Sequence, residues 1–240
     1  MNRAIIIAGG KGERLRPFTE DRPKCMIPIL GNPLLSFQLR LISSYGFNRV
    51  TICCGYKHEV IRDHFGDGTK YGVKIEYLVE EQPLGRGGAL RAALESLPPS
   101  TEPVLAMNGD ALTNTNINEL VTLHKRTGAT ATIVSVPLRS PYGILETTDD
   151  NIVSGFTEKP ELPFWINAGI YVFDPAIVSA LPKVGDHEEL TFPQLAKEGQ
   201  LRVYKTRAFW KTIDTVKDLT EVRSDFEQLV FSSFFQSVPI

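Results

Sequence analysis

The chain has 240 residues, of which 42% are hydrophobic and 22% are charged, as in a globular protein with one large core. Its formal net charge of −2 argues against the broad basic surface of a nucleic-acid-binding protein. No apolar run is long enough to span a bilayer, and no signal-peptide pattern precedes the first strand pattern. We therefore expect a cytoplasmic protein without a nucleic-acid or membrane partner.

Strand and helix patterns alternate through the first half of the chain. Strand patterns occupy residues 3–8, 49–54, 73–79 and 104–107, and helical patterns occupy residues 33–45, 57–65 and 87–97. This alternation predicts an α/β fold, a Rossmann-like three-layer sandwich built on a mostly parallel mixed sheet. In such a sheet, ligands bind beyond the carboxyl ends of the strands.

The second half of the chain is less regular. Its strand patterns occupy residues 129–136, 143–146, 152–156, 168–173, 202–205 and 209–213, and its helical patterns occupy residues 175–181 and 192–198. A last helix begins near Val216, and the chain ends in the apolar run LVFSSFFQSVPI. We expect this run to cover its own domain, with contact to a second copy of the chain as the alternative. No repeat or linker marks a boundary, so a single domain over residues 1–240 is predicted.

Neither the cysteines nor the histidines indicate a site. The three cysteines form no disulfide framework and no CxxC zinc motif, and we interpret them as small buried hydrophobes or incidental thiols. The histidines show no metal-ligand spacing and are placed on the surface. These residues are Cys25, Cys53, Cys54, His58, His64, His124 and His187.

A glycine-rich loop directly follows the first strand, which ends at Ala8. It combines glycines, whose backbone can turn sharply and present N–H groups to anions, with mobile cations. They are Gly9, Gly10, Gly12, Arg14, Arg16 and Lys24. The glycine spacing matches neither a Walker A loop nor the GxGxxG of dinucleotide-binding folds. The loop predicts a triphosphate site, although the glycines alone fit a plain strand-to-helix turn about equally well.

Residues 8–29, AGGKGERLRPFTEDRPKCMIPI, resemble the signature GGxGxRLxPLTxxxPKxxxPI of nucleotidyltransferases that make nucleotide sugars. Three later segments resemble the same family in the same order: EEQPLGRGGAL (80–90), EKP (158–160) and INAG (166–169). The resemblance covers nearly the whole chain. It implies that an NTP reacts with a sugar 1-phosphate to give an NDP-sugar and pyrophosphate.

The resemblance also divides the domain and assigns residues to both substrates. It implies a nucleotide-binding half over about 1–115, a sugar-phosphate half over about 116–215 and a C-terminal helix over about 216–236. Arg14 and Lys24 would hold the triphosphate, and Lys159 the phosphate of the sugar, so that these cations and Asp110 form the catalytic set. The nucleotide would contact Ala8, Gly9, Gly10, Gly12, Glu80, Pro83, Gly85, Gly88, Asn108 and Gly109. The sugar phosphate would contact Tyr142, Gly143, Glu158, Lys159 and Asn167.

Two carboxylates are candidate Mg²⁺ ligands. Asp110 follows a strand and Gly109, where it could bind a metal that also touches phosphate oxygens. The structural alternatives are that it caps the helix that begins near Asn116 or closes the turn, and for this residue taken alone capping is favoured. Many members of the family carry W-x-D-I-G near the end. The WKTIDT of residues 210–215 instead resembles the W-x-x-M-D-T of cytidylyltransferases, so we assign the second carboxylate to Asp214 rather than Thr212.

The nucleobase and the sugar are less strongly indicated than the reaction. Residues 80–85 and 192–201 look most like guanylyltransferases acting on mannose or heptose 1-phosphate, and Glu80 could accept hydrogen bonds from guanine. The Asp214 segment favours CTP, and UTP or dTTP with glucose 1-phosphate are further alternatives. A non-catalytic nucleotide-sugar-binding regulatory subunit is the alternative of another class, although the retained cations and carboxylates argue against it. Arg86 stands where the family usually has Thr.

Overall fold

The computed structural model describes residues 3–227 as thirteen strands, six α-helices and short 3₁₀ turns. The strands are β1 (Arg3–Ile7), β2 (Pro28–Ile29), β3 (Asn32–Pro33), β4 (Arg49–Cys54), β5 (Lys74–Val79), β6 (Val104–Asn108), β7 (Ala111–Thr113), β8 (Ala131–Arg139), β9 (Ile144–Thr147), β10 (Val153–Thr157), β11 (Glu161–Phe173), β12 (Leu201–Lys205) and β13 (Trp210–Thr212). The helices are α1 (Leu34–Ser44), α2 (His58–Phe65), α3 (Gly85–Ser96), α4 (Ile117–Thr127), α5 (His187–Lys197) and α6 (Val216–Glu227).

Seven strands form the central sheet in the order β12-β8-β11-β6-β1-β4-β5. Strand β11 runs antiparallel to both of its neighbours, β6 and β8, whereas the other four pairings are parallel. The predicted mostly parallel mixed sheet is therefore confirmed. Because β1 and β6 are parallel neighbours at the centre, the loops after them start from the same edge of the sheet.

Helices cover both faces of this sheet, and the alternation of side chains along each strand decides which face a residue serves. In β1, Ile6 packs on the side of α1, α2 and α4, while Ile5 packs on the side of α3 and α5. Both isoleucines are fully buried. The predicted three-layer α/β sandwich is confirmed.

A smaller apolar cluster lies beneath the glycine-rich loop. It joins Leu15 and Ile27, which flank the cationic part of the loop, to Ile213 after β13 and to Leu219 and Val222 of α6. This cluster packs α6 and the residue after β13 against residues 15–37. Helix α6 begins at the predicted residue, while the predicted continuation to residue 236 and the apolar run lie outside the described residues.

Three predicted elements differ from the structure. Strand β11 starts at Glu161 rather than at 168. Residues 162–166 are apolar, but Pro163 interrupts the run and disfavours a strand prediction there. Helix α5 starts at His187 rather than at 192, and its first turn is acidic. The helix predicted at 175–181 is a 3₁₀ turn, Pro175–Ser179.

The cysteine prediction is confirmed, and the histidine prediction is half wrong. All three cysteines are buried thiols. His124 and His187 are buried as well, at 3% and 0% exposure, because α4 and α5 turn these positions towards the sheet. Among residues 3–227, no helix is long and apolar enough to cross a membrane.

Candidate active site

A cavity of about 440 Å³ opens beyond the carboxyl ends of the central strands. Five residues predicted for the site line it: Arg14, Asn108, Asp110, Asn167 and Asp214. Others that line it include Arg86, Glu188, Trp210 and Thr212. The cavity therefore joins the glycine-rich loop and the end of β6 to the second half of the chain.

Lys24 lies between the two predicted metal ligands. Its ammonium group donates to Asp110 Oδ2 at 2.7 Å and to Asp214 Oδ1 at 2.6 Å. The Lys24 side chain is only 13% exposed, whereas the two carboxylates are about one-third exposed. Asp110 and Asp214 follow Lys24 by 86 and 190 positions in the sequence, yet both meet its ammonium group. The prediction that the two carboxylates lie together requires this arrangement.

Arg14 adds a second cation at the same place. Its guanidinium donates to Asp214 Oδ1 at 3.0 Å while the side chain stays 72% exposed. Burial opposes ionisation of Asp214, but Lys24 and then Arg14 outweigh it and hold the pKa of this carboxyl below its usual value. Asp214 is therefore an anion at neutral pH, as a metal ligand must be.

The turn that carries Asp110 is held from both sides. The Gln38 side chain of α1 donates from Nε2 to the carbonyl oxygens of Asn108 and Ala111, both at 2.7 Å. The Gly109 N–H donates to the Ile7 carbonyl at 2.7 Å, which ties the turn to β1. Asp110 does not cap α4, since Asn116 accepts the Glu119 N–H at 3.2 Å in that role. The capping interpretation of Asp110 is therefore wrong.

Asp214 is fixed by the start of α6. Asp218 Oδ2 accepts the N–H groups of Asp214 and Thr215, at 3.0 and 2.7 Å. The Thr215 hydroxyl in turn accepts the Asp218 N–H at 3.2 Å, which makes a reciprocal capping box. Thr212 also lines the cavity, but it lies within β13, paired with Ala111. The assignment of the carboxylate to Asp214 fits this arrangement.

The glycine-rich loop has the open backbone that its sequence predicts. Gly12 adopts a left-handed conformation with φ of 65°, and its carbonyl accepts the Thr19 hydroxyl at 2.8 Å. A β-carbon at Gly10 would meet no atom within 4 Å, so this part of the loop faces open space. Ala8 is buried and its N–H donates to the Cys53 carbonyl at 2.7 Å. The loop is thus anchored at its base and open at its tip.

The segment over residues 80–88 packs largely against other protein residues. Glu80 Oε2 accepts the Leu84 N–H at 3.0 Å, and a β-carbon on Gly9 would lie 3.2 Å from Glu80 Oε1. Pro83 is exposed, whereas Gly88 is buried under the Lys183 carbonyl. Gly85 has φ of 75°, and a β-carbon there would lie 2.7 Å from the Gly185 carbonyl oxygen. Nucleotide contacts of Glu80, Pro83, Gly85 and Gly88 stay predictions.

Asn167, which lines the cavity, belongs to a polar cluster on β11 and α5. Its amide donates to Glu188 Oε1 at 2.7 Å and to the Tyr171 hydroxyl at 3.0 Å. Its carbonyl accepts the Gly169 N–H at 2.9 Å, within the part of β11 where the register with β8 shifts. The predicted sugar ligand Asn167 therefore lines the same cavity as Asp110 and Asp214.

The remaining predicted sugar-phosphate residues lie on an arm formed by β9, β10 and the turns that flank them. A β-carbon on Gly143 would lie 2.9 Å from Glu158 Oε2, so these two residues are neighbours. Lys159 is exposed in the turn before β11, and Tyr142 is 76% exposed. None of these four residues lines the cavity, as far as residues 3–227 are described. The structure brings them together with each other, but not with the carboxylate pair.

Several residues of the site were missed from the sequence. Gln38, Tyr171, Glu188 and Trp210 reach the cavity or hold its walls from elements distant in the chain. A weak signal existed for Gln38, a single amide on an otherwise apolar helix face, and a clear one for Asp218, whose T-x-x-D spacing from Thr215 is a capping box. Glu188 and Tyr171 carry no such local pattern.

Comparison with known proteins decides the family. The family profile described as "Nucleotidyl transferase" matches residues 3–228. The chain belongs to the nucleotidyl transferase family. The mannose-1-phosphate guanylyltransferase of Mycobacterium tuberculosis (strain ATCC 25618 / H37Rv) is 34% identical over 230 residues, which cover 92% of this chain and 64% of that protein.

Other members of the family differ in the nucleotide that their names carry. The UTP--glucose-1-phosphate uridylyltransferase of Synechocystis sp. (strain ATCC 27184 / PCC 6803 / Kazusa) is 35% identical over 90% of this chain and 60% of that protein. The chain thus spans about three-fifths of the length of these first two relatives. A Bacillus subtilis (strain 168) protein named "Probable glucose-1-phosphate cytidylyltransferase" is 32% identical over 94% of this chain and 96% of its own length.

Among solved structures, HddC from Yersinia pseudotuberculosis superposes with a TM-score of 0.75 at 25% sequence identity. The match covers 94% of this chain and 100% of that one. The nucleotidyl transferase fold therefore accounts for the described part of the chain, and the cavity at the strand ends is its candidate active site.

Proposed function

We propose that this nucleotidyl transferase moves a nucleotidyl group from an NTP to a sugar 1-phosphate and releases pyrophosphate. One observation carries the proposal: Arg14, Asp110 and Asp214 line the same cavity as Asn167, and Lys24 is bonded to both carboxylates. A triphosphate needs clustered cations, and a metal–phosphate complex needs paired carboxylates. The same cavity offers both beside a polar wall suited to sugar hydroxyls.

The reaction requires the protein to align the two substrates and to compensate their negative charges. A phosphate oxygen of the sugar 1-phosphate forms a bond to the α-phosphorus of the NTP, and the bond between that phosphorus and the bridging oxygen to the β-phosphate breaks. Pyrophosphate leaves with the electron pair. The attacking oxygen is already anionic at neutral pH, so no general base is required. We assign Arg14 and Lys24 to the triphosphate and Lys159 to the phosphate of the sugar, where each cation lowers repulsion between anions.

Asp110 and Asp214 fit Mg²⁺. Asp110 Oδ1 is buried without a hydrogen-bond partner, so it has a lone pair to give to a cation. Among residues 3–227 no group of three or more His, Cys, Asp or Glu side chains is arranged to hold a metal. Two carboxylates suffice for Mg²⁺, which keeps water and shares phosphate oxygens. When bound, Mg²⁺ would neutralise charge that builds up on the triphosphate.

For the substrates we propose GTP with mannose or heptose 1-phosphate. The guanylyltransferase name of the Mycobacterium tuberculosis relative supports GTP. The names of the Synechocystis and Bacillus subtilis relatives support UTP or CTP with glucose 1-phosphate as the alternatives, and dTTP remains with them. The nucleotide half of the domain would end near residue 115 and the sugar-phosphate half near residue 215. We keep homo-oligomerisation through the apolar end of the chain, outside the described residues, as a proposal.

The deciding experiment measures pyrophosphate release from a matrix of GTP, CTP, UTP and dTTP with mannose, heptose and glucose 1-phosphates, with and without Mg²⁺. We expect the highest kcat/KM with GTP and no turnover after removal of Mg²⁺. No turnover with any pair, together with tight binding of an NDP-sugar, would identify a regulatory subunit instead. Turnover that persists in excess EDTA would remove Asp110 and Asp214 from the metal role.

A further inference from the structure

Arg86 occupies a structural position that its family resemblance does not explain. It replaces the usual Thr in the PLGxxGAL-like segment and opens α3. It lines the same cavity as Asn108, Asp110 and Asn167. The side chain is 40% exposed.

Arg86 binds two carboxylates at the start of α5. Its Nε and one terminal nitrogen donate to the two oxygens of Asp186, at 3.2 and 2.9 Å, and its backbone N–H adds a third bond to Asp186 at 3.0 Å. The same terminal nitrogen lies 2.7 Å from Glu188 Oε2. The planar fork of Arg can serve both carboxylates at once, which Thr is too short and uncharged to do. Arg86 also holds the pKa of Asp186 below its usual value through these bonds.

Glu188 passes this restraint to the wall of the cavity. Its Oε1 accepts from the Asn167 amide at 2.7 Å and from the Tyr171 hydroxyl at 2.9 Å, while Oε2 faces Arg86. Tyr171 is fully buried, and burial raises its pKa, so the hydroxyl keeps its proton as a donor. Two hydrogen bonds on Oε1 and the Arg86 ion pair on Oε2 therefore hold the Glu188 carboxylate in place. The carbonyl of Asn167 is fixed separately by the Gly169 N–H.

The backbone beside Arg86 is joined to the same segment. The N–H groups of Gly87 and Gly88 donate to the Gly185 carbonyl at 2.9 and 3.3 Å, and the Gly185 N–H donates to the Leu84 carbonyl at 2.8 Å. The segment that resembles a nucleotide-binding loop is thus attached by both backbone and side chain to the segment that carries Glu188. Arg86 is the charged member of this connection.

We infer that Arg86 is a positioning residue for the sugar 1-phosphate: it holds Glu188, and through Glu188 the amide of Asn167, in the orientation that receives the sugar. This inference rests on the proposed nucleotidyl transfer and names residues that serve its second substrate. Without Arg86, Asp186 and Glu188 would repel each other, and Glu188 would lose the ion pair on Oε2. The lost alignment would affect the sugar 1-phosphate. The triphosphate is assigned to Arg14 and Lys24, which are both bonded to Asp214.

The test uses the full-length protein with the most active NTP and sugar 1-phosphate pair from the matrix. In Arg86→Met we expect the KM of the sugar 1-phosphate to rise by about tenfold or more, while calorimetry with the NTP alone shows a dissociation constant changed by less than about twofold. Arg86→Lys keeps the charge without the fork and should give an intermediate KM. Arg91→Met is the matched control on the same helix, since Arg91 contacts Glu95 and the Leu181 carbonyl and does not line the cavity.

A double-mutant cycle separates positioning from direct contact. If Arg86 acts through Glu188, then Arg86→Met combined with Glu188→Gln should raise the sugar KM little more than Glu188→Gln alone. Independent effects that multiply would mean that Arg86 touches substrate itself, which overturns the positioning role. An unchanged sugar KM in Arg86→Met, or an equal loss of NTP affinity, would overturn it as well. Absence of turnover in the wild-type protein would instead reject the proposed function.

Discussion

Two regions that we propose to bind the substrates are built differently. One is the phosphate wall, formed by Lys24, Asp110 and Asp214, and the other is the arm of β9 and β10. On the phosphate wall, Lys24 is 13% exposed and already bonded to Asp110 and Asp214, and an apolar cluster lies beneath the loop. On the sugar side, β9 and β10 carry exposed side chains such as Phe156, at 64% exposure, and Lys159 lies exposed in a turn. The phosphate wall is assembled by protein contacts alone, whereas the arm, whose predicted residues do not line the cavity, has little buried support.

This difference indicates where substitutions act. A charge on the phosphate wall has protein partners, so its replacement changes both the local ion pairs and the chemistry. A charge on the arm is solvated, so its replacement leaves the fold unchanged and affects only ligand binding. The cluster of Arg86, Glu188 and Asn167 lies between these extremes, because it is ordered by protein contacts and faces the cavity.

The largest effect is expected for Asp110→Asn on the phosphate wall. The amide cannot serve as an anionic metal ligand, and we expect kcat/KM for pyrophosphate release to fall by about 100- to 1,000-fold. The protein should stay folded, since Gln38 and the Gly109 N–H hold the turn through backbone groups. Pyrophosphate release and a thermal melt of the same preparation measure the two quantities.

Asn116→Ala is the matched control for this variant. It removes the α4 cap and should lower the free energy of unfolding by about 1 kcal/mol with kcat/KM unchanged. If Asp110→Asn instead unfolds the protein while retaining activity per folded molecule, the phosphate wall is a structural element rather than the metal site.

On the arm, Lys159→Met should act on binding alone. Loss of a charged hydrogen bond to phosphate costs about 1.5–3 kcal/mol, so we expect the KM of the sugar 1-phosphate to rise about 10- to 100-fold. Lys74→Met, at a 71% exposed lysine paired with Glu76 at 3.8 Å, is the control and should leave both KM values unchanged. Steady-state kinetics with each substrate varied in turn make the comparison. A rise in the KM of the NTP alone would place Lys159 with the wrong substrate.

The phosphate wall was the part that sequence predicted best, because its signals are local. The glycine-rich loop directly follows β1, and Asp110 directly follows β6, so the rule that ligands bind at the carboxyl ends of parallel strands brought them together. Asp214 required the family resemblance as well, since no periodicity marks it. Asp218, which accepts the Asp214 N–H and forms a capping box with Thr215, was nevertheless readable from the T-x-x-D spacing.

The cluster of Arg86, Glu188 and Asn167, which we call the sugar wall, was harder to predict because its contacts are non-local. Arg86 and Asp186 are 100 positions apart, and no spacing rule pairs them. His187 lies in the polar run DHEEL and was predicted to be exposed, yet α5 begins early enough to turn it inward against Tyr171 and Phe192. Its burial follows from where the helix starts, which the sequence pattern placed five residues too late.

The backbone connection between residues 84–88 and Gly185 can be strained at one position. Gly85→Ala forces a left-handed φ of 75° on a residue with a side chain and drives the new carbon to 2.7 Å from the Gly185 carbonyl oxygen. Gly128→Ala has a φ of 60° with no atom within 4 Å of the new carbon, so it reports the backbone strain alone. We expect Gly85→Ala to lower the free energy of unfolding by about 1–3 kcal/mol more than Gly128→Ala. Urea unfolding of both variants measures the difference, and equal losses would mean that residues 84–88 do not pack on residue 185.

The smallest effect concerns the buried base of the sugar wall and depends on pH. Burial, and then Arg86, lower the pKa of His187 to about 4, and both of its ring nitrogens lack hydrogen-bond partners among the described residues. The unfolded chain, with an ordinary pKa of 6.5, binds the proton first as the pH falls. The contribution of neutral His187 to the free energy of unfolding is therefore fully present above pH 6.5 and is lost as the pH falls through 4.

Between pH 7.5 and pH 5.5 the loss from His187 is about 1 kcal/mol in the free energy of unfolding. His187→Leu should remove this part of the pH dependence even if lost aromatic contacts lower its stability at pH 7.5. Leu195→Ala removes packing from the same helix without removing a titratable group, so it should keep the wild-type dependence. His124, whose pKa burial also lowers, contributes in the same direction in all three proteins. If His187→Leu loses as much stability as the wild type between the two pH values, His187 takes up its proton in the folded state, and the base of the sugar wall is open to water.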